Sequence, residues 1–287
     1  MSAPVVDFER LGPPLKGPSA LGSDLRRFAR LTWTLAITDF KLRFFGSALG
    51  YLWQLMRPLM LFGVLYAVFS QLGLGDEVEY YAVGLLAGIV LFSFMSEATG
   101  QAVRSLSQRE NLVRKIEFPR LAVPMATVLT ALFNLALNLV PIFVFLLAAG
   151  GRPLWSWFEL PFLMAALGVF VLALSTLLSV LFVRYRDIEP IWDVVLQVTF
   201  YASPIFYTAA LVRDTAGEVA LKVMMFNPFA AILQQTRHAV IDPSHESAAS
   251  AIGGAPWLLV PLALTIATVV IAYRVFDRAA PRIAEDL

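Results

Sequence analysis

Cysteine is absent from the 287 residues, which excludes disulfides, thiolate metal sites and a thiol nucleophile. Histidine is nearly absent. His238 and His245 lie seven apart in a polar connection, where two solvated side chains explain them better than a metal site needing three or four ligands. The four lysines, Lys16, Lys41, Lys115 and Lys222, precede Gly, Leu, Ile and Val. The Gly-Lys-Ser/Thr of a phosphate-binding loop is therefore missing, and no machinery for hydrolysing ATP is encoded. Neither GxSxG nor HExxH occurs. Charge is scarce: 15% of residues are charged against 59% hydrophobic, with a mean hydropathy of +0.72. That leaves too little polar material to solvate a globular surface, and no polar stretch is long enough to fold by itself. A net charge of +1 gives no reason to expect a nucleic-acid partner.

What is present is apolar length. A bilayer core of about 30 Å takes about 20 helical residues, and six segments supply them: 51–72, 80–102, 121–149, 161–183, 191–212 and 256–274. Their apolar runs are continuous instead of alternating, so helices are predicted, not barrel strands. The fold class is all-α, with one membrane domain over 23–275, a polar, Pro/Gly-rich tail over 1–22 without the features of a cleavable signal, and a C-terminal tail over 276–287. Lys and Arg divide 18 against 4 between the two sides of these spans. The positive-inside rule then puts both termini in the cytoplasm. No repeat relates the two halves, which weakens a transporter built on inverted repeats.

Residues 23–44 form an amphipathic pattern before the first span. Arg26, Arg27, Arg30, Thr34 and Lys41 share one flank, with Leu25, Phe28, Leu31, Leu35, Ala36 and Leu42 spread over the other. Either a helix in the interface among membrane lipids, capped by Ser23, or an amphipathic helix packed on a partner satisfies it. The 103–120 loop is long enough for a helix and ends at Phe118-Pro119. A short helix meeting another surface and a solvated basic loop both fit. Glu97 and Asp193 are acidic outliers near the cytoplasmic edge, where hydrated or helix-terminal charges account for them as well as a functional role does. Ser203-Pro204 is predicted to break the fifth span in its outer part. Broken helices at membrane depth need protein cover or a wet cavity, so either an outer gate or a plain kink results. Asn227-Pro228 is a helix start, with Asn as N-cap and Pro first. Aromatic residues gather as Phe44, Phe45, Tyr51 and Trp53 at the first span and Phe200, Tyr201, Phe206 and Tyr207 on the fifth. They serve as interfacial belts or as flat faces for a polyhydroxylated chain.

Four stretches then occur in one order: DFKLRFFGSALGYLWQLMRPLM (39–60), ENLVRKIEFPRLAVP (110–124), RYRDIEPIW to FYASPIFY (184–207) and NPFAAILQQTRHAVI (227–241). Together the sequence resembles the type 2 ABC exporter permeases for polysaccharides, O-antigen and teichoic acids. The resemblance implies a homodimer of six-span chains paired with two copies of a separate ABC ATPase, which would bind the ATP and Mg; the chain itself would hold no cofactor. It makes Asn111, Leu112, Arg114, Lys115, Glu117 and Arg120 part of a helix coupled to that ATPase, and 26–43 the interfacial helix flanking a lipid-linked substrate. Arg184, Arg186 and Asp187 fall on the cytoplasmic rim. Tyr51, Trp53, Arg57, Phe200, Tyr201, Phe206 and Tyr207 fall on the substrate pathway, and Ser203, Pro204, Asn227, Pro228 and Arg237 on the outer gate. Arg57 stands where the family commonly has Asn. The alternatives are an ABC exporter of a drug or small lipid, a membrane enzyme acting on polyprenyl-linked sugars, and a passive channel.

Overall fold

The computed structural model describes residues 24–44, 50, 52–71, 73, 79–114, 118–281 and 283. The tail at 1–22, Ser23, Phe45, Tyr51, Lys115 and Glu117 lie outside the described residues, as does the side chain of Phe44. Every regular element among the described residues is helical. In chain order these are α1 (Leu25–Phe44), α2 (Leu52–Gln71), α3 (Tyr81–Gln108), α4 (Glu110–Val113), α5 (Ala122–Ala148), α6 (Leu160–Arg184), α7 (Ile188–Ala202), α8 (Ala209–Met225), α9 (Pro228–Thr236), α10 (Ala248–Ala251) and α11 (Leu259–Ala279). Five helical stretches are long and apolar enough to cross a bilayer: Leu52–Gln71, Tyr81–Gln108, Ala122–Ala148, Trp155–Arg184 and Ala255–Ala279. A sixth exists if Ala209–Met225 and Pro228–Ile241, bent by 107° at their break, count as one. The protein is an all-α, multi-pass membrane protein.

α3 is the axis of the bundle. It is the most buried span, and α5, α6, α2 and α7 all pack on it. Lipid tails are as apolar as Leu, so helices associate in a bilayer through close packing and polar ties instead of water exclusion. Small residues supply the closeness here: Ala87, Ala98 and Ala102 on α3, Ala126 and Ala131 on α5, and Ala173, Ser175 and Ser179 on α6 are all buried. At one end Phe28, Leu106, Val113, Phe118, Val123, Val183, Phe276 and Ile283 form one cluster. This gathers the ends that carry the Lys/Arg surplus, and Phe276 near the end of α11 packs there with Ala280 and Ile283. α2 and α11 stay almost wholly uncovered, a state that lipid or another chain must complete.

The span predicted at 191–212 is divided. α7 has only 15 residues, a rise of about 22 Å, and cannot cross about 30 Å of hydrocarbon. It stops because Pro204 lacks an amide hydrogen and forces Ser203 into the extended region, at φ −105° and ψ 149°. α8 and α9 then turn back into the opposite end of the bundle.

Candidate functional site

Between α2, α3, α5 and α7 lies a cleft of about 940 Å³. Its floor is polar although the helices around it are apolar. α3 contributes Glu97 and Gln101, α5 Asn134 and Asn138, α2 Gln54 and Arg57, and α7 Asp193 and Gln197. A carboxylate at this depth needs partners, and Glu97 has them from four helices. Arg43 of α1 forms an ion pair with it. Asn134 donates its amide at 2.6 Å, Gln54 at 3.1 Å and Gln101 at 3.4 Å. Arg43 also donates to Gln101 at 2.6 Å. Asn138 in turn donates to the Asn134 carbonyl at 2.9 Å. Asp193 and Arg57 are exposed on the cleft's walls.

Aromatic rings close the cleft's far end. Phe92 meets Phe200 edge-on at 5.0 Å, Phe200 meets Tyr201 at 5.3 Å, and Phe206 stacks on Phe69 at 4.9 Å. Beyond them runs the irregular segment 203–207, whose carbonyls no helix satisfies. Side chains replace the missing amides: Arg237 donates to Ile205 at 2.6 Å and to Tyr207 at 3.4 Å, and Tyr81 donates to Phe206 at 2.6 Å. Arg237 also reaches the Gly84 carbonyl at 3.3 Å. Arg237 is only 5% exposed, and its charge is solvated by backbone dipoles. Gly88 permits the approach, since a Cβ there would stand 3.1 Å from the Ile205 carbonyl oxygen. Arg237 opens a π-helical turn at the end of α9, a distortion common at functional sites. α9 itself starts where Asn227 accepts from the Phe229 amide at 3.0 Å and Pro228 takes the first helical position. His245, in the connection after that turn, is pushed down to about 4 by burial and by the Arg237 charge.

At the basic end, α4 follows α3 after one residue, Arg109, which forms an ion pair with Asp39 of α1. Asn111 and Arg114 are exposed, Leu112 is half-buried, and Val113 is buried in the cluster beneath. Arg114 pairs with Glu110 at 2.6 Å along the short helix. Arg120 is 3% exposed. Arg104 reaches across to Glu189 at 2.6 Å. Arg186 donates to Ser107 at 3.2 Å and lies 4.9 Å from the Phe182 ring centroid. Arg184 lies over Tyr185, and Asp187 is exposed immediately before α7.

Residues 30–241 match the family described as ABC-2 type transporter. The chain belongs to that family. It is also 26% identical over 210 residues to the O-antigen export system permease protein RfbA of Myxococcus xanthus, covering 73% of this chain and 80% of the relative. A protein of the same name from Klebsiella pneumoniae is 26% identical over 200 residues, covering 69% and 75%.

For an ABC-2 type transporter chain, the sequence-predicted positions sort into three places. Arg57, Phe200 and Tyr201 line the cleft, with Phe206 and Tyr207 just beyond it, whereas Trp53 is 58% exposed on the surface of α2. Ser203, Pro204 and Arg237 come together with Tyr81 and Gly84 around the broken segment, and Asn227 and Pro228 begin the helix that carries Arg237 there. The amphipathic helix forms over Leu25–Phe44, but Phe28, Thr32 and Ala36 are its buried positions, with Leu25 and Leu42 exposed at its ends. The polar floor between Glu97, Asp193 and Arg57, made by Gln54, Gln101, Asn134, Asn138 and Gln197, was missed. Its signal was present in α5, where Thr127, Thr130, Asn134 and Asn138 recur at helical spacing in the most apolar of settings.

Proposed function

We propose that this chain is the membrane permease subunit of an ATP-driven exporter that moves a lipid-linked polysaccharide from the inner to the outer face of a bacterial cytoplasmic membrane. It works as a homodimer with two copies of a separate ATPase, which holds the ATP and Mg. The observation that carries the reading is the one-sided cleft. Its polar floor is carried largely by α2, α3 and α5, each long and apolar enough to cross a bilayer, while its walls, α2 and α7, turn uncovered apolar faces outward at Val64, Val68, Val194 and Val198. Such a trough is costly against lipid and suits a second copy that converts two troughs into one passage. The printed names of the relatives from Myxococcus xanthus and Klebsiella pneumoniae support a polysaccharide cargo.

In this mechanism the chain makes and breaks no bonds. ATP binding to the partner displaces α4 and the 114–120 connection. The protomers shift, the cleft opens toward the cytoplasm, and Arg43 and Arg57 meet the anionic head of the lipid carrier while its tail stays in the bilayer. The sugars then pass the rings of Phe200, Tyr201 and Phe206 and leave beside the 203–207 segment. Depletion of the chain in its host tests this. Lipid-linked glycan is expected to accumulate in the inner leaflet as surface polysaccharide disappears. The wild-type chain restores export, and Arg114→Glu with Lys115→Glu inserts but does not. Unchanged surface polysaccharide on depletion overturns the proposal.

A further inference from the structure

An apolar groove lies apart from the cleft, between α1, α5 and α6. It encloses about 560 Å³, within the range of about 300–1,000 Å³ usual for small-ligand sites, and shares no lining residue with the cleft. Its lining is aliphatic and aromatic. The one hydroxyl there, on Thr32, already donates to the Phe28 carbonyl at 2.9 Å. Small residues give the groove its depth: Ala29 on α1, Ala165 and Gly168 on α6. It begins beside Phe28, which belongs to the cluster at the basic end of the bundle, and follows α5 from Met125 to Leu132, about 10 Å of helix rise. α1 is tied to this wall where the Thr130 hydroxyl donates to the Ala36 carbonyl at 3.2 Å.

Lipid tails are as apolar as Leu, so such a groove gains nothing from water exclusion inside a bilayer and takes any acyl chain equally well. Selectivity has to come from the headgroup. α1 supplies the contacts for one. At 3.6 residues per turn, Arg26, Arg30 and Trp33 fall within about 60° of one another, and Trp33 lines the groove. The two arginines therefore stand along its edge. Both are exposed, and neither forms an ion pair among the described residues. Asp24, the nearest acid in sequence, is engaged as the acceptor for the Arg26 amide at 2.8 Å. Trp33 is 53% exposed, with its ring held edge-on to Phe133 at 5.5 Å. Its indole N–H is a donor only, of the kind that settles at headgroup level. Guanidinium forks match phosphate oxygens, and no carboxylate lines the groove to oppose an anion. Cationic donors at the edge of an acyl-sized slot fit an anionic phospholipid. A zwitterionic lipid would set its own cation against Arg26 and Arg30, and a free anion would leave the slot unused.

We infer that the α1–α5–α6 groove is a binding site for an anionic glycerophospholipid of the bilayer, with one acyl chain in the groove and the phosphate on Arg26 and Arg30. The inference needs only the membrane-spanning fold and does not rest on the export proposed above. Photo-crosslinking of the full chain in phosphatidylcholine nanodiscs tests it, with a trace of phosphatidylglycerol carrying a diazirine in one acyl chain and a matched phosphatidylcholine probe beside it. Adducts on 29–33 and 125–132, mapped by mass spectrometry, are expected to favour the phosphatidylglycerol probe about 5- to 30-fold, which is what one or two basic side chains near a membrane surface supply. Arg26→Gln with Arg30→Gln is expected to bring the two probes to parity without emptying the groove. Arg26→Lys with Arg30→Lys is expected to keep most of the preference, since the charge remains. Ala165→Trp, which fills the groove from an exposed position of α6, is expected to remove the adducts on 125–132 for both probes. Equal labelling by the two probes in the wild type overturns the inference, because the groove then holds whatever lipid is nearest. A preference that survives the glutamine pair, or adducts unchanged by Ala165→Trp, overturns it as well. Displacement of the probe by a polyprenyl phosphate but not by unlabelled phosphatidylglycerol assigns the groove to a carrier lipid instead and likewise overturns it.

Discussion

Glu97 is the residue on which most depends, because one carboxylate satisfies donors from α1, α2, α3 and α5. Glu97→Ala leaves Arg43 without its counter-charge and Asn134 without its acceptor. A loss of about 3 kcal/mol is expected, measurable as a lowered unfolding midpoint in detergent, with Glu97→Gln losing less because it still accepts. Arg237→Leu exposes three carbonyls to an apolar surrounding and leaves them unpaired, each worth about 1 kcal/mol or more; Arg237→Lys is expected to recover only part, since an ammonium lacks the fork that reaches Gly84, Ile205 and Tyr207 together. His245 gives a pH dependence. Its folded value near 4 lies below the 6.5 of the free ring, so the unfolded chain binds the extra proton in that window and stability falls as pH drops from about 6.5 to 4. His245→Gln is expected to flatten that part of the curve. Sequence reading picked out Glu97 as an outlier but could not supply its partners, which come from positions 43, 54 and 134 and meet only after three helices have packed.

At the scale of elements, the composition and hydropathy of the spans were enough for five of the six, because apolar length is a local property. The sixth was drawn as continuous over 191–212, although Ser203-Pro204 was recognised as a break within it. What the local pattern cannot carry is where the backbone goes after such a break; that is decided by Gly88 on α3 and Arg237 in the π-helical turn after α9, far away in sequence. Gly88→Val is expected to press on Ile205 and destabilise the 203–207 segment by about 1–3 kcal/mol, seen as faster hydrogen exchange at 203–207 with the α5–α6 contacts unchanged. Gly217 is a separate hinge. It interrupts α8 at φ 84° and ψ 167°, and Gly217→Ala is expected to cost about 1–3 kcal/mol of strain there.

At the scale of the whole molecule, a chain without cysteine is a clean background for cross-linking. Val64→Cys on α2 and Val198→Cys on α7, each about 60% exposed, are expected to give a disulfide-linked dimer on mild oxidation. Ile266→Cys on α11 is expected to stay monomeric, and the reverse pattern would put the second copy on the wrong face. Family membership was legible from four motifs in order, whereas the cleft was not, because it is made of gaps between helices and not of any one of them. The tie between Arg109 and Asp39 has a consequence of its own. Arg109 is the single joint between α3 and α4, and through Asp39 it grips α1, which Arg43 fastens again at Glu97 of α3. Under the proposed coupling, a tug on α4 would be delivered to α1 in the same stroke, as a drawbar moves the trailer with the tractor. Loading of cargo and consumption of fuel would have no slack between them.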